Sequence, residues 1–366
     1  CSLFSSHLPF DTFSKAVDEM LSRAFIGRRK STNKNIRSLR YGEGSCLSSQ
    51  QCTYEDEECI VGLTGELPLN MCDGGSFNKS RVRGVLCLRE VMLGSVQMMG
   101  ESGVGISEKV VLLDGTVYAA KRFSKVTVRR KEFGRRVERI AQVSKGSEYL
   151  LQVRAYLFAK RIKVILSDYY PMGSLADLLN GARELGHTPL DWDQRLTIVL
   201  HVAKAISYIH GQSPLHEKNF QLNVHGNIKI SNVLIKTDFS ACLSDYGFIQ
   251  LVDPPEATGE WQYCKLMETT NPTLQKLTQK NDICCFGVMV LDMLGGAEAP
   301  SQVHCIIERK EDIKEGVVEF FEFFVRGKER KQAVQVLDIA LACTNRSPEA
   351  RPSIDQILLY LENVMF

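Results

Sequence analysis

The chain has 366 residues, and its 45 Lys and Arg against 43 Asp and Glu leave a formal charge of only +2, so no global field points to nucleic acid. Hydrophobic residues at 44% and charged residues at 24% exclude a disordered or fibrous chain and leave room for two or three folding units at roughly 150 residues each. No apolar run reaches the ~18 residues of a spanning helix, since 283–294 is interrupted by Asp292, and the first residues lack the basic start and apolar stretch of a signal peptide.

Residues 1–84 show no sustained period and read as a polar, loosely ordered extension or juxtamembrane-like linker. Arg28, Arg29, Lys30, Lys34, Arg37 and Arg40 form a basic cluster. It is suited to an anionic membrane surface at about 1 kcal/mol per residue, and a solvated linker run is the plainer alternative. Cys46, Cys52, Cys59 and Cys72 lack paired CxxC spacing, so neither a zinc site nor a disulfide framework is expected. Cys284, Cys285 and Cys343 read as small core hydrophobes of a reduced protein.

Regular signals begin at residue 85. Two apolar runs, 110–113 and 117–120, flank Asp114-Gly115, a dipeptide that favours a tight hairpin. A helix is expected over 131–144 with Phe133, Val137, Ile140 and Ala141 on one face, followed by strands over 150–158 and 161–166. After Pro171 the pattern becomes helical: 174–185, then 191–210 capped by Asp191, with further helices over 281–294, 317–324, 331–343 and 353–364. A short strand pair, 233–235 and 241–243, interrupts them. The expected class is α+β, with a small sheet-rich lobe over 85–168 and a larger helical lobe over 169–366.

Within this frame, Gly100-Glu101-Ser102-Gly103-Val104-Gly105 precedes the hairpin, and Tyr118-Ala119-Ala120-Lys121 lies on its second strand. Glu138 falls on the next helix. Leu166-Ser167-Asp168-Tyr169 lies between the lobes, followed by Tyr170-Pro171-Met172-Gly173-Ser174-Leu175. His225-Gly226-Asn227-Ile228-Lys229-Ile230-Ser231-Asn232 and Asp245-Tyr246-Gly247 flank the short strand pair. In this order and on these elements the motifs resemble those of protein kinases, in particular the leucine-rich-repeat receptor-like kinases of plants, many of them inactive. The resemblance covers about three quarters of the chain.

The resemblance implies a two-lobed protein kinase-like fold and a cleft for ATP and Mg²⁺. Gly100, Gly103 and Gly105 would let backbone N–H groups approach the phosphates, Ala119 would cover the adenine, and Lys121 paired with Glu138 would position the phosphates. Ser167, Asp168 and Tyr169 would form the adenine-binding hinge, with Ser167 as gatekeeper. Asn232 and Asp245 would hold the metal, and Lys229 would meet the γ-phosphate.

The sequence departs from the pattern at several points. Asn227 stands where the family carries its general base, and an amide cannot accept the proton, which costs about 3 to 5 kcal/mol of barrier. Gly226 replaces the preceding arginine, Ser102 the middle glycine of the loop, and Ser107 an apolar residue. The Ala-Pro-Glu motif falls on Glu268-Thr269-Thr270, so Arg351 is expected to find another acid or solvent in place of the motif's glutamate. The implied function is that of an ATP-binding receptor-like pseudokinase, inactive or very weak, which scaffolds or regulates an active receptor kinase or another signalling protein. A weakly active Ser/Thr kinase and a nucleotide-free interaction module are the alternatives. No nucleic-acid partner is expected, and the implied location is the cytoplasm, at the cytoplasmic face of the plasma membrane.

Overall fold

The computed structural model describes residues 70–71, 88–159, 162–187, 190–213, 220–252 and 277–365. The basic cluster at Arg28 to Arg40, the first four cysteines and Glu268-Thr269-Thr270 lie outside them. The alternating pattern and Asp114-Gly115 produce the expected hairpin: β3 (Gly105–Val111) and β4 (Val117–Phe123) pair antiparallel with Val111 opposite Val117. Gly115 closes the turn at a φ of +82°, and the Asp114 carboxylate accepts the Thr116 N–H at 3.0 Å.

Among the described residues the sheet has six strands. Besides the hairpin these are β1 (Asn70–Met71), β2 (Ser95–Ser102), β5 (Val153–Phe158) and β6 (Lys163–Asp168), in the order β1-β5-β6-β4-β3-β2. The outermost strand, β1, thus comes from within the stretch read as an extension. A six-residue helix, α1 (Leu88–Leu93), precedes β2, and α2 (Arg130–Lys145) packs against β5. The stripe Phe133, Val137, Ile140 and Ala141 on α2 is buried as its spacing requires. Phe133 is fully buried, with ring centroids 5.9 Å from Phe123, 6.1 Å from Tyr156 and 5.2 Å from Phe158.

The second lobe is built from α3 (Leu175–Glu184), α4 (Trp192–His210), β7 (Val233–Ile235), β8 (Ala241–Leu243), α5 (Gln279–Gly295), α6 (Val303–Glu308), α7 (Lys310–Glu315), α8 (Gly327–Cys343) and α9 (Ile354–Met365). Ser174 and Asp191 form capping boxes at the starts of α3 and α4, where each satisfies orphan N–H groups. No single described helix is long and apolar enough to cross a membrane. The apolar run 283–294 is instead the core helix α5, with Ile283, Phe286 and Leu291 buried. Cys284 and Cys343 are buried as expected, whereas Cys285 is only half-buried.

One expected helix does not form. Over 317–324 the chain is irregular, because its aromatic residues are anchors and not a stripe: Phe321 and Phe323 are buried while Phe324 is 71% exposed. Glu322 fixes the segment. Its N–H donates to the Leu294 carbonyl at 3.0 Å, and its carboxylate accepts from Arg183 at 2.8 Å and from the buried Arg195 at 3.1 Å. Charge pairing at a single point has overridden helical spacing.

The lobes are tied through the segment after β8. Val126 bridges Val252, the Thr127 N–H donates to the Leu251 carbonyl at 3.2 Å, and Arg136 of α2 reaches the Gln250 carbonyl at 2.6 Å. Since Phe133 joins α2 to both hairpin and sheet, Phe133→Ala should lower stability by about 3 to 5 kcal/mol, read as a fall in the urea midpoint of the transition that reports the sheet.

Candidate functional site

The loop 225–232 is suspended from α5 by one carboxylate. Asp282 is 2% exposed. Its Oδ2 accepts the His225 N–H at 2.8 Å and its Oδ1 the Gly226 N–H at 2.9 Å, while His210 Nε2 lies 3.1 Å from Oδ2. The N–H of Asn227 donates to His225 Nδ1 at 3.1 Å. Burial holds the His225 imidazole below its usual range, so the ring is neutral at pH 7 and Nδ1 is free to accept.

Gly226 has a left-handed φ of +79°, and a Cβ there would lie 2.9 Å from Ile249 and 3.2 Å from Leu277. Side chains from either side have closed over the place where the family carries an arginine, so glycine is now a packing requirement. Asn227 is 3% exposed, and its carbonyl accepts the Asn232 side-chain amide at 2.7 Å. Lys229 is half-buried and begins the short turn Ile230–Asn232, accepting the Asn232 N–H at 2.9 Å. The Asn232 carbonyl in turn accepts from the Ser244 N–H and hydroxyl. The two halves of the expected metal site are therefore tied across β7 and β8.

Asp245 is 8% exposed with a left-handed φ of +59°. Its Oδ2 lies 2.9 Å from the Lys121 ammonium as an ion pair, and the hydrogen-bond acceptors of that ammonium are Ser107 Oγ at 3.1 Å and Ser102 Oγ at 3.2 Å. The next residue, Tyr246, is buried, its hydroxyl is pushed up by burial, and it donates to the Leu222 carbonyl.

This arrangement corrects the expected Lys121–Glu138 pair. Glu138 is exposed and accepts the Tyr156 hydroxyl at 2.7 Å. Tyr156 reaches it by passing over Gly134, where a Cβ would come within 2.7 Å of the hydroxyl oxygen. Lys121 meanwhile donates to Ser107 of β3 and Ser102 of β2 and is ion-paired with Asp245. Arg351, at 2% exposure, donates to the Asn345 and Lys280 carbonyls, each at 2.9 Å.

The loop residues divide by cause. A Cβ on Gly105 would lie 2.1 Å from the Arg122 carbonyl, so this glycine is demanded by the neighbouring strand. A Cβ on Gly100 would meet nothing within 4 Å, and Gly103 is exposed. Ala119, half-buried, lies opposite Ser167 in the β4/β6 register, and Ser167 is buried. Asp168 is bound by Arg154 at 2.7 and 2.9 Å, and the Lys109 ammonium lies 4.9 Å from the Tyr169 ring centroid.

Residues 94–360 match the model of the protein kinase domain. The chain belongs to the protein kinase family. A probable inactive receptor kinase of Arabidopsis thaliana is 30% identical over 312 residues, covering 80% of this chain and 45% of that protein. A second from the same plant is 31% identical over 297 residues, covering 76% and 43%. The kinase domain described here thus belongs to a chain that spans under half the length of these relatives. Among solved structures, the pseudokinase domain of BIR2, an immune regulator of the RLK/Pelle family, superposes with a TM-score of 0.66 at 24% identity, covering 82% of this chain and 90% of that one. The kinase domain of maize SIRK1, bound to AMP-PNP, gives 0.64 at 24% identity, covering 81% and 100%. These two likenesses establish the two-lobed kinase fold.

Because one carboxylate carries the backbone of the kinase domain's loop, Asp282→Ala should remove at least about 3 kcal/mol, given roughly 1.5 to 3 kcal/mol per hydrogen bond to a charged group. Hydrogen exchange should locate the loss: protection at the His225 and Gly226 amides falls first, while the β5/β6 amides retain theirs.

Proposed function

We propose that this chain is the kinase-like part of a plant receptor-type pseudokinase, which works by presenting its folded surface to an active receptor kinase or another signalling protein at the cytoplasmic face of the membrane. The observation that carries the reading is Asn227. It sits on a fully formed catalytic loop, anchored by Asp282 and tied to Asn232, yet offers an amide where proton removal requires a carboxylate. Relatives named as inactive receptor kinases support the same reading.

Lys121, Asn232 and Asp245 are the residues that would hold a Mg²⁺-nucleotide, with charge neutralisation as its contribution to phosphoryl transfer. Their fit is partial. Gly100 leaves open space, and the Asp245 carboxylate lies beside the lysine, but the lysine already donates to two serine hydroxyls. Nucleotide binding in this proposal is therefore weak.

Restoring the base should not restore the enzyme. Asn227→Asp supplies a carboxylate but leaves Gly226, Ser102 and the missing Ala-Pro-Glu motif as they are, and transfer still requires a docked hydroxyl in line with the γ-phosphate. In a ³²P transfer assay on a generic protein substrate, parent and Asn227→Asp should both stay near the background set by Asn227→Asp/Asp245→Ala. Turnover by the single variant at the roughly 1 to 100 per second of active kinases would sink the proposal.

A further inference from the structure

We infer that Ser102 and Ser107 are internal stand-ins for phosphate oxygens, which hold the cleft in a self-satisfied, nucleotide-free state. The inference deepens the pseudokinase reading and rests on it, but its test reads binding and not transfer. An ammonium has three N–H donors. Lys121 is only 7% exposed; two of its donors go to Ser107 Oγ at 3.1 Å and Ser102 Oγ at 3.2 Å, and its charge faces Asp245 Oδ2 at 2.9 Å.

The serines are placed for this role by the sheet. Ser107 is the direct cross-strand partner of Lys121. Ser102 ends β2 opposite Gly105, and its hydroxyl donates to the Gly105 carbonyl at 3.2 Å. That bond directs the Ser102 proton away from Lys121 and turns a lone pair toward the ammonium. These two positions are also where the loop departs from the kinase pattern, one in place of a glycine and one in place of an apolar side chain. Neither of the replaced residue types carries a side-chain acceptor. Both substitutions therefore end on the same nitrogen, and together they do what a phosphate does in a nucleotide-loaded kinase.

The consequence is a competition. A phosphate oxygen reaches Lys121 only by displacing a serine hydroxyl that is already within bonding distance of a lysine only 7% exposed. Glu138 does not assist, because Tyr156 holds it at an exposed position. Exchanging the serine bonds for phosphate bonds leaves only a small net gain from the interaction that anchors nucleotides elsewhere in the family.

The test is equilibrium titration of the full chain with Mg²⁺-ATP, followed by thermal shift, for the parent, Ser102→Gly, Ser107→Val and the double variant. The double variant should bind about tenfold to a hundredfold more tightly than the parent, with each single variant between them. Adding Lys121→Met should cancel the gain. A cooperatively folded double variant that binds no more tightly than the parent overturns the inference.

A second readout covers a double variant that does not fold. The rate of acetylation at Lys121 by a small amine-reactive ester, followed by peptide mass spectrometry, should rise severalfold in Ser107→Val relative to the parent, since the ammonium has lost an acceptor. Equal rates overturn the inference as well. Failure of the pseudokinase reading would appear separately, as ³²P transfer by the parent.

Discussion

A carboxylate buried to 2% exposure must be paired or lose its charge, and in this fold the obligation is met by the backbone of a functional loop. Asp282 accepts two consecutive N–H groups and lies within reach of His210. Charge-assisted bonds of this kind are stronger than neutral ones, and they define where residues 225 to 227 stand without engaging the side chain at 227. The neutral His225 extends the same frame by accepting the Asn227 N–H, and its carbonyl accepts the Gly247 N–H at 3.3 Å. These backbone bonds are indifferent to whether position 227 carries an acid or an amide. At that position an amide stands on an ordered loop scaffold.

The positive charges of the second lobe show how the same fold spreads buried guanidinium groups over several oxygens away from the cleft. Arg195 is fully buried, stacks 4.2 Å from the Phe323 ring centroid and donates to the Leu190 and Met293 carbonyls as well as to Glu322. Arg183 shares Glu322 and also reaches Asp292, whose carboxyl burial pushes up while the arginine opposes that shift. Arg351 donates to the carbonyls of Asn345 and of Lys280 on α5. In each case a guanidinium with five fixed donors is distributed over several oxygens, so that no single partner is indispensable.

Much of this organisation was legible in the sequence because it rests on local rules. The hairpin follows from Asp114-Gly115, α4 from Asp191 and its apolar stripe, and the kinase motifs from their order on those elements. The segment 317–324 was misread because four phenylalanines among acidic residues imitate a helical face, while the deciding contact, Glu322 with two arginines of other helices, is remote in sequence. The partner of Lys121 lay between these extremes. Ser102 and Ser107 were visible as departures, and the turn that sets Val111 against Val117 also sets Ser107 against Lys121. Reading the register through to the lysine would have found one acceptor. Asp245 and Tyr156, which decide the rest, come from strands and loops that only the tertiary fold brings near.

The losses at Asn227 and at Lys121 differ in kind. Replacing the base raises a barrier that matters only after substrate and nucleotide are bound, so it leaves the resting protein unchanged. The two serines act on the resting protein itself: they give a buried ammonium acceptors that would otherwise have to be water or phosphate, and so they lower the free energy of the empty cleft. An enzyme gains nothing from a stable empty cleft, because that stability must be overcome at each turnover. A protein that acts through its shape does gain, because the relation of glycine-rich loop, β4 and Asp245 then no longer depends on the nucleotide concentration around it. A chain with only the first loss would still change shape with nucleotide, and a chain with only the second could still transfer phosphate slowly. Together they describe a kinase fold held in one conformation.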